Sequence, residues 1–221
     1  MALPLIIVGA TGNCLDIADA VAAQHDAGRG DFVVAGFLDD DPARQGQTIA
    51  GFPVLGPISA AANFSDTMFV CGIGSPKSFR LKSELIARLG VPAERFATLV
   101  HPAACVSRSA LIGPGTVILG NATICANVRI GAHVMMLPNC VVGHDTVIND
   151  YCIFAAGVTV SGMVTIARGC YIGAGSTVRE GVSIGKGALV GMGAVAVRDM
   201  AAGTWVAGNP ARPLSPKLER D

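Results

Sequence analysis

Charge is scarce in this 221-residue chain. Asp, Glu, Lys and Arg make up 14% of it, with 16 residues of each sign. A chain so balanced offers no basic stripe for nucleic acid and no patch for an anionic membrane surface. Aromatics are rarer still, at 5% with a single Trp, so no core of large rings can form. No stretch of about 18 residues escapes Gly, charged or amide interruptions, which excludes a spanning helix. Met1–Gly12 begins apolar but lacks the basic leader and small-residue cleavage site of a signal peptide, so a cytoplasmic address is expected. The seven cysteines form no CxxC pair. In a reducing compartment they are expected to be inert, buried packing thiols.

What remains is abundant small aliphatic character, and it is periodic. Stepping by six from Val106 gives Ile112, Ile118, Ile124 and so on to Val190 and Ala196, sixteen apolar positions without a slip. Two residues before each stands a small or β-branched residue, from Ala104 and Ala110 through Cys140, Cys152 and Cys170 to Ala194. Large and small residues alternating on one side fit short strands with stacked inward faces. Gly-rich gaps such as Gly113-Pro114-Gly115 let the chain turn between them. Six-residue units cannot bury their apolar face alone, so they must stack into a solenoid. Three units make a triangular coil of 18 residues, and 106–196 supply about five coils. Both ends of such a stack are sheet edges, which the N-terminal domain and the tail after Ala196 are expected to cap.

Residues 1–98 read differently. Leu3–Val8, Phe32–Leu38 and Met68–Cys71 are apolar runs ending in Gly9-Ala10-Thr11-Gly12-Asn13, Asp39-Asp40-Asp41-Pro42 and Gly72-Ile73-Gly74-Ser75-Pro76. Helical patterns follow the first and third. Strand, Gly turn, helix, strand is a small Rossmann-like α/β unit, residues 1–98, ahead of a parallel β-helix domain, residues 99–221. Gly turns at strand ends present backbone amides to an anionic group. Leu15 stands where the dinucleotide fingerprint needs its third Gly, so a redox cofactor is not expected.

The repeat resembles the hexapeptide-transferase superfamily, which implies a left-handed β-helix, a homotrimer, and closure beside coenzyme A by a loop like Gly208-Asn209-Pro210-Ala211-Arg212. The domain order, with Phe37-Leu38-Asp39-Asp40, resembles the NeuD/PglD-type sugar acyltransferases. That resemblance implies acetyl-CoA as co-substrate and a nucleotide-linked amino sugar, held by Thr11, Gly12, Asn13, Asp39, Asp40 and Gly74. Thr11-Gly12-Asn13 departs from the family's more usual Ser/Gly-Gly-His.

Acetyl transfer from a thioester needs a base for the nucleophile's proton and donors for the carbonyl oxygen as it becomes anionic. Of four histidines, His25 ends a surface helix, His101 sits at the domain junction, and His133 lies in a polar gap where exposure accounts for it. His144 follows Gly143 at a coil turn and precedes Asp145. In the family resembled, this pair supplies the base and the acidic residue that raises its basicity. Gly162, one coil on, stacks about 4.8 Å away; its N–H is the candidate oxyanion donor, although a turn needing φ > 0 would also call for Gly. Ala174 and Met192 match positions lining the coenzyme A channel in relatives. A second histidine found in some members is Ile153 here. His133 and His144 have no third partner for a zinc site, so no metal is expected. O-acetylation of a sialic-acid-type sugar, and a non-catalytic nucleotide-sugar-binding solenoid, remain as alternatives.

Overall fold

The computed structural model describes residues 2–214. The N-terminal unit is built on β1 (Leu3–Val8), α1 (Gly12–Asp26), β2 (Phe32–Leu38), β3 (Thr48–Ile49), β4 (Phe52–Gly56), β5 (Met68–Cys71) and α2 (Lys82–Arg88). The sheet order is β3-β4-β2-β1-β5. Strands β4, β2, β1 and β5 run parallel, and β3 closes the edge antiparallel to β4. The β3–β4 hairpin was not visible in the sequence, where it lacks a long apolar run. Because β1 is flanked by β2 and β5 and covered on both faces, its last four residues are fully buried, as continuous apolar runs in parallel sheets require.

From Leu99 onward the chain makes two-residue strands joined by four-residue turns, with parallel ladders between residues 18 apart. Three sheets result: six strands from Cys105–Val106 to Val195–Ala196, five from Leu111–Ile112 to Ser183–Ile184, and eight including Leu99–Val100 and Trp205–Ala207. This is a left-handed β-helix, and its ladder extends beyond 106–196 by one strand at each end. The sixfold register packs as the alternation requires. From Thr116 to Ala196 every position of both inward rows is buried, and these rows form one continuous core.

The α/β unit does not cap the helix. It lies along its flank, on the eight-stranded face. The outward residues there, Leu99, Val117, Met135, Ile153 and Leu189, share a buried cluster with Leu5, Ile7, Ile17 and Phe79. Each such side chain contributes about 1.5–3 kcal/mol when fully buried, so this face welds the two units. The entrance of the coil stays open instead: Val106 and Ile112 are only partly buried, and Leu111 is 61% exposed. At the far end the chain folds over itself. Val195 N–H donates to Gly208 O, Ala211 N–H donates to Val195 O, and Arg212–Pro213 pairs antiparallel with Val206–Ala207.

The thiols also divide. Cys14, Cys71, Cys140, Cys152 and Cys170 are buried, but Cys105 is exposed and Cys125 half-buried. Cys105 precedes an inward position and so faces outward, and Cys125 stands in a turn.

Candidate functional site

His144 and Asp145 occupy the turn between Val141–Val142 and Val147–Ile148, the corner where the six- and five-stranded faces meet. Asp145 has φ 58°, a left-handed conformation that Asp tolerates better than most residues. His144 Nδ1 lies 2.8 Å from Asp145 Oδ2, and both side chains are about half exposed. A carboxylate so placed takes Nδ1–H and leaves Nε2 as the acceptor. Below this turn, Asn127 Nδ2 donates to Asp145 Oδ1 at 3.0 Å. Hydrogen bonds from His144 first and Asn127 second hold the Asp145 carboxyl below its usual range. The buried Thr146 hydroxyl donates to Ser161 O and accepts from Val164 N–H, pinning this turn to the next coil.

Gly162 closes the other side. A Cβ there would stand 2.8 Å from His144 Nε2 and 2.9 Å from Cε1. Its φ is not left-handed; Met163 beside it has φ 59°. Glycine is therefore required by the imidazole's approach, not by the turn.

The other histidines are placed elsewhere. His25 is exposed, with Nε2 against Phe32 O. His101 Nδ1 accepts from Ala103 N–H, a structural role at the domain junction. His133 was expected in solvent and is buried instead. Phe96 of the docked α/β unit covers it edge-on at 4.6 Å, and Tyr151 of the next coil stacks on it at 5.2 Å. Burial, then the charge of Lys82, pushes its pKa down to about 4.

The candidate nucleotide-binding residues converge at the C-terminal ends of β1, β2 and β5. Asn13 Nδ2 donates to Gly74 O at 3.0 Å, tying the first and third Gly turns together. Asp39 is buried and accepts from Ala10 N–H, Asp41 N–H and Arg44 Nη1. Asp40 Oδ1 accepts from Ile58 N–H. Asp39 thus braces the first Gly loop, while Asp40 ties the end of β2 to the segment after β4. Gly74 is pressed onto the helix, since a Cβ would stand 2.5 Å from Ile153 Cδ1 and 2.9 Å from Met135 Cε. Ala174 and Met192 stack at the corner between the eight- and six-stranded faces, where Gly193 N–H donates to Ala174 O and Met192 is 80% exposed.

Three groups therefore stand apart in one chain. The Gly turns lie over the eight-stranded face, Ala174 and Met192 on one of its corners, and His144 on the corner opposite. Asn127 was missed in the sequence although it stands 18 residues before Asp145, one coil away. Among the described residues, no three His, Cys, Asp or Glu side chains are grouped to hold a metal ion.

Residues 4–82 match the PglD N-terminal domain, and residues 163–196 match the bacterial transferase hexapeptide repeat. The acetyltransferase domain of PglB from Neisseria gonorrhoeae FA1090, solved with acetyl coenzyme A, is 32% identical; the match covers 97% of this chain and all of that one, with a TM-score of 0.82. The chain belongs to the NeuD/PglD-type sugar acyltransferase family. A perosamine N-acetyltransferase variant from Caulobacter crescentus, in complex with CoA and GDP-perosamine, is also similar in structure. It is 25% identical, with 96% of this chain and 97% of that one covered and a TM-score of 0.83. The UDP-N-acetylbacillosamine N-acetyltransferase of Bacillus subtilis (strain 168) is 43% identical over 54 residues, 24% of each chain. Membership explains why an α/β unit with Gly turns precedes the hexapeptide coil.

Proposed function

We propose that this chain is an acetyl-CoA-dependent N-acetyltransferase acting on a nucleotide-linked amino sugar, such as a 4-amino-4,6-dideoxyhexose, with His144 as general base. One observation carries the reading. The His144–Asp145 pair is preformed at 2.8 Å, with the imidazole set against Gly162, where a Cβ would stand 2.8 Å from Nε2. The relatives named for GDP-perosamine and UDP-N-acetylbacillosamine support the substrate class.

In this reading the sugar amine attacks the thioester carbonyl, and His144 Nε2 takes the proton that nitrogen sheds. Asp145 keeps Nδ1–H fixed and offsets the imidazolium charge. Gly162 N–H donates to the carbonyl oxygen as it becomes anionic. Collapse breaks the carbon–sulfur bond, and the departing thiolate receives the proton from His144. The products are the acetamido sugar and free coenzyme A. Ala174 and Met192 line the groove for the co-substrate, and Thr11, Gly12, Asn13, Asp39, Asp40 and Gly74 hold the nucleotide.

Because these groups stand on different sides of one coil, the complete site needs a neighbouring copy. A homotrimer is supported by the six-stranded face, whose outward residues Cys105, Thr123, Val141, Thr159, Thr177 and Val195 are small and uncharged. No helix among the described residues is long and apolar enough to cross a membrane, and a cytoplasmic site of action belongs to the same proposal.

The test is thiol release from acetyl-CoA with a panel of UDP-, GDP- and dTDP-linked 4-amino sugars. One of them should support turnover, and His144→Ala should lower kcat by about 10²–10⁴. Wild-type turnover in that variant would overturn the reading.

A further inference from the structure

We infer that Asn127 is a positioning residue for the acyl transfer, acting on His144 through Asp145; the inference rests on the function proposed above. Asp145 is half exposed, and a surface carboxylate turns freely about its side-chain bonds unless something holds it. Asn127 Nδ2 takes Oδ1 at 3.0 Å while His144 Nδ1 takes Oδ2 at 2.8 Å. With both oxygens engaged, the carboxylate plane is set and the imidazole is aimed. Asn127 is itself anchored, since its backbone N–H donates to Ser109 Oγ at 2.9 Å. Residues 109, 127 and 145 thus form a ladder of three stacked turns ending at the base.

A purely conformational explanation covers only part of this. Asn127 has φ 60°, and asparagine is among the few residues that accept that backbone. Asn121 and Asn139 adopt the same conformation, at φ 59° and 63°, and their side chains make no hydrogen bond among the described residues. The backbone accounts for asparagine at 127. It does not account for an amide aimed at the partner of the base.

The experiment compares Asn127→Gly, Asn127→Asp, Asp145→Asn, His144→Ala and the Asn127→Gly/Asp145→Asn double variant. Glycine keeps the left-handed turn and removes the donor; aspartate keeps the shape and replaces the donor with a carboxylate. Each single change at 127 should lower kcat about 10-fold, with KM for both substrates within about 2-fold, as expected when orientation alone is lost. The double variant should be about as slow as Asp145→Asn, because a neutral amide at 145 cannot offset the imidazolium however Asn127 orients it. Wild-type kcat in both variants at 127, or losses that multiply in the double variant, would overturn the inference. If His144→Ala keeps its turnover, the functional reading and this inference fall together. If His144→Ala is inactive and both variants at 127 match wild type, only the inference falls.

Discussion

The His144 imidazole lies directly on Gly162, so that any side chain at 162 would begin 2.8 Å from Nε2. Gly162→Ala is expected to push the ring off its axis without disturbing the coil, because Gly162 has an ordinary φ that alanine shares. A displacement near 1 Å in a catalytic group costs on the order of 10²-fold in rate. Steady-state kinetics should show that loss in kcat, with a melting temperature close to wild type. An unchanged kcat would mean that the ring needs no such seat.

Asp145 keeps its charge through the assay range, because its pKa is depressed below 3.8 by its hydrogen bonds. Asp145→Asn removes the charge that offsets the imidazolium formed during transfer, so kcat should fall about 10²–10³. A kcat that stays at the wild-type value would separate Asp145 from the base.

Acid sensitivity should come from His133. Its folded pKa of about 4 lies below the ordinary 6.5, so the folded state keeps it neutral while the unfolded chain takes a proton. Stability is then full above pH 6.5 and declines as pH falls toward 4, by at most about 3 kcal/mol. His133→Phe keeps a ring against Phe96 and Tyr151 and should flatten this part of the stability–pH curve in denaturant titrations. An equally steep curve would assign the loss to other groups.

Lys82 is buried to 2% exposure in α2 and forms no ion pair among the described residues. Desolvation lowers its pKa, opposed only by the thiols Cys71, Cys152 and Cys14. The folded state disfavours its proton, so this residue costs stability at every pH below 10.5 where the unfolded chain is charged. Lys82→Met should stabilise at pH 7 by about 1–3 kcal/mol. A lower melting temperature would show that the amine holds something essential at the domain seam.

Assembly should depend on the uncharged face. Thr159 is exposed between Val141 and Thr177 on the six-stranded sheet. Thr159→Arg, stacked into three copies around one axis, should leave a folded monomer by light scattering and reduce activity with it. A trimer of wild-type activity would move the interface elsewhere.

The coil was legible because its physics is local. A six-residue spacing sets which side chains face inward, and each unit meets only its neighbours 18 residues away. The inward rows, the left-over polar corners and His144 before Asp145 follow from counting, and Asn127 was within reach of the same count. The alignment of β1, β2 and β5 was legible for a similar reason, as buried parallel strands are continuous apolar runs. Where the α/β unit docks is a different matter. The apolar outward face from Leu99 to Leu189 belongs to the helix, but only the tertiary structure pairs it with Ile17 and Phe79. That docking covers His133 and Lys82, leaves the coil entrance open, and puts the Gly turns across the coil from His144. Burial and charge state there depend on residues distant in the chain, and no period along the sequence encodes a meeting between surfaces so far apart.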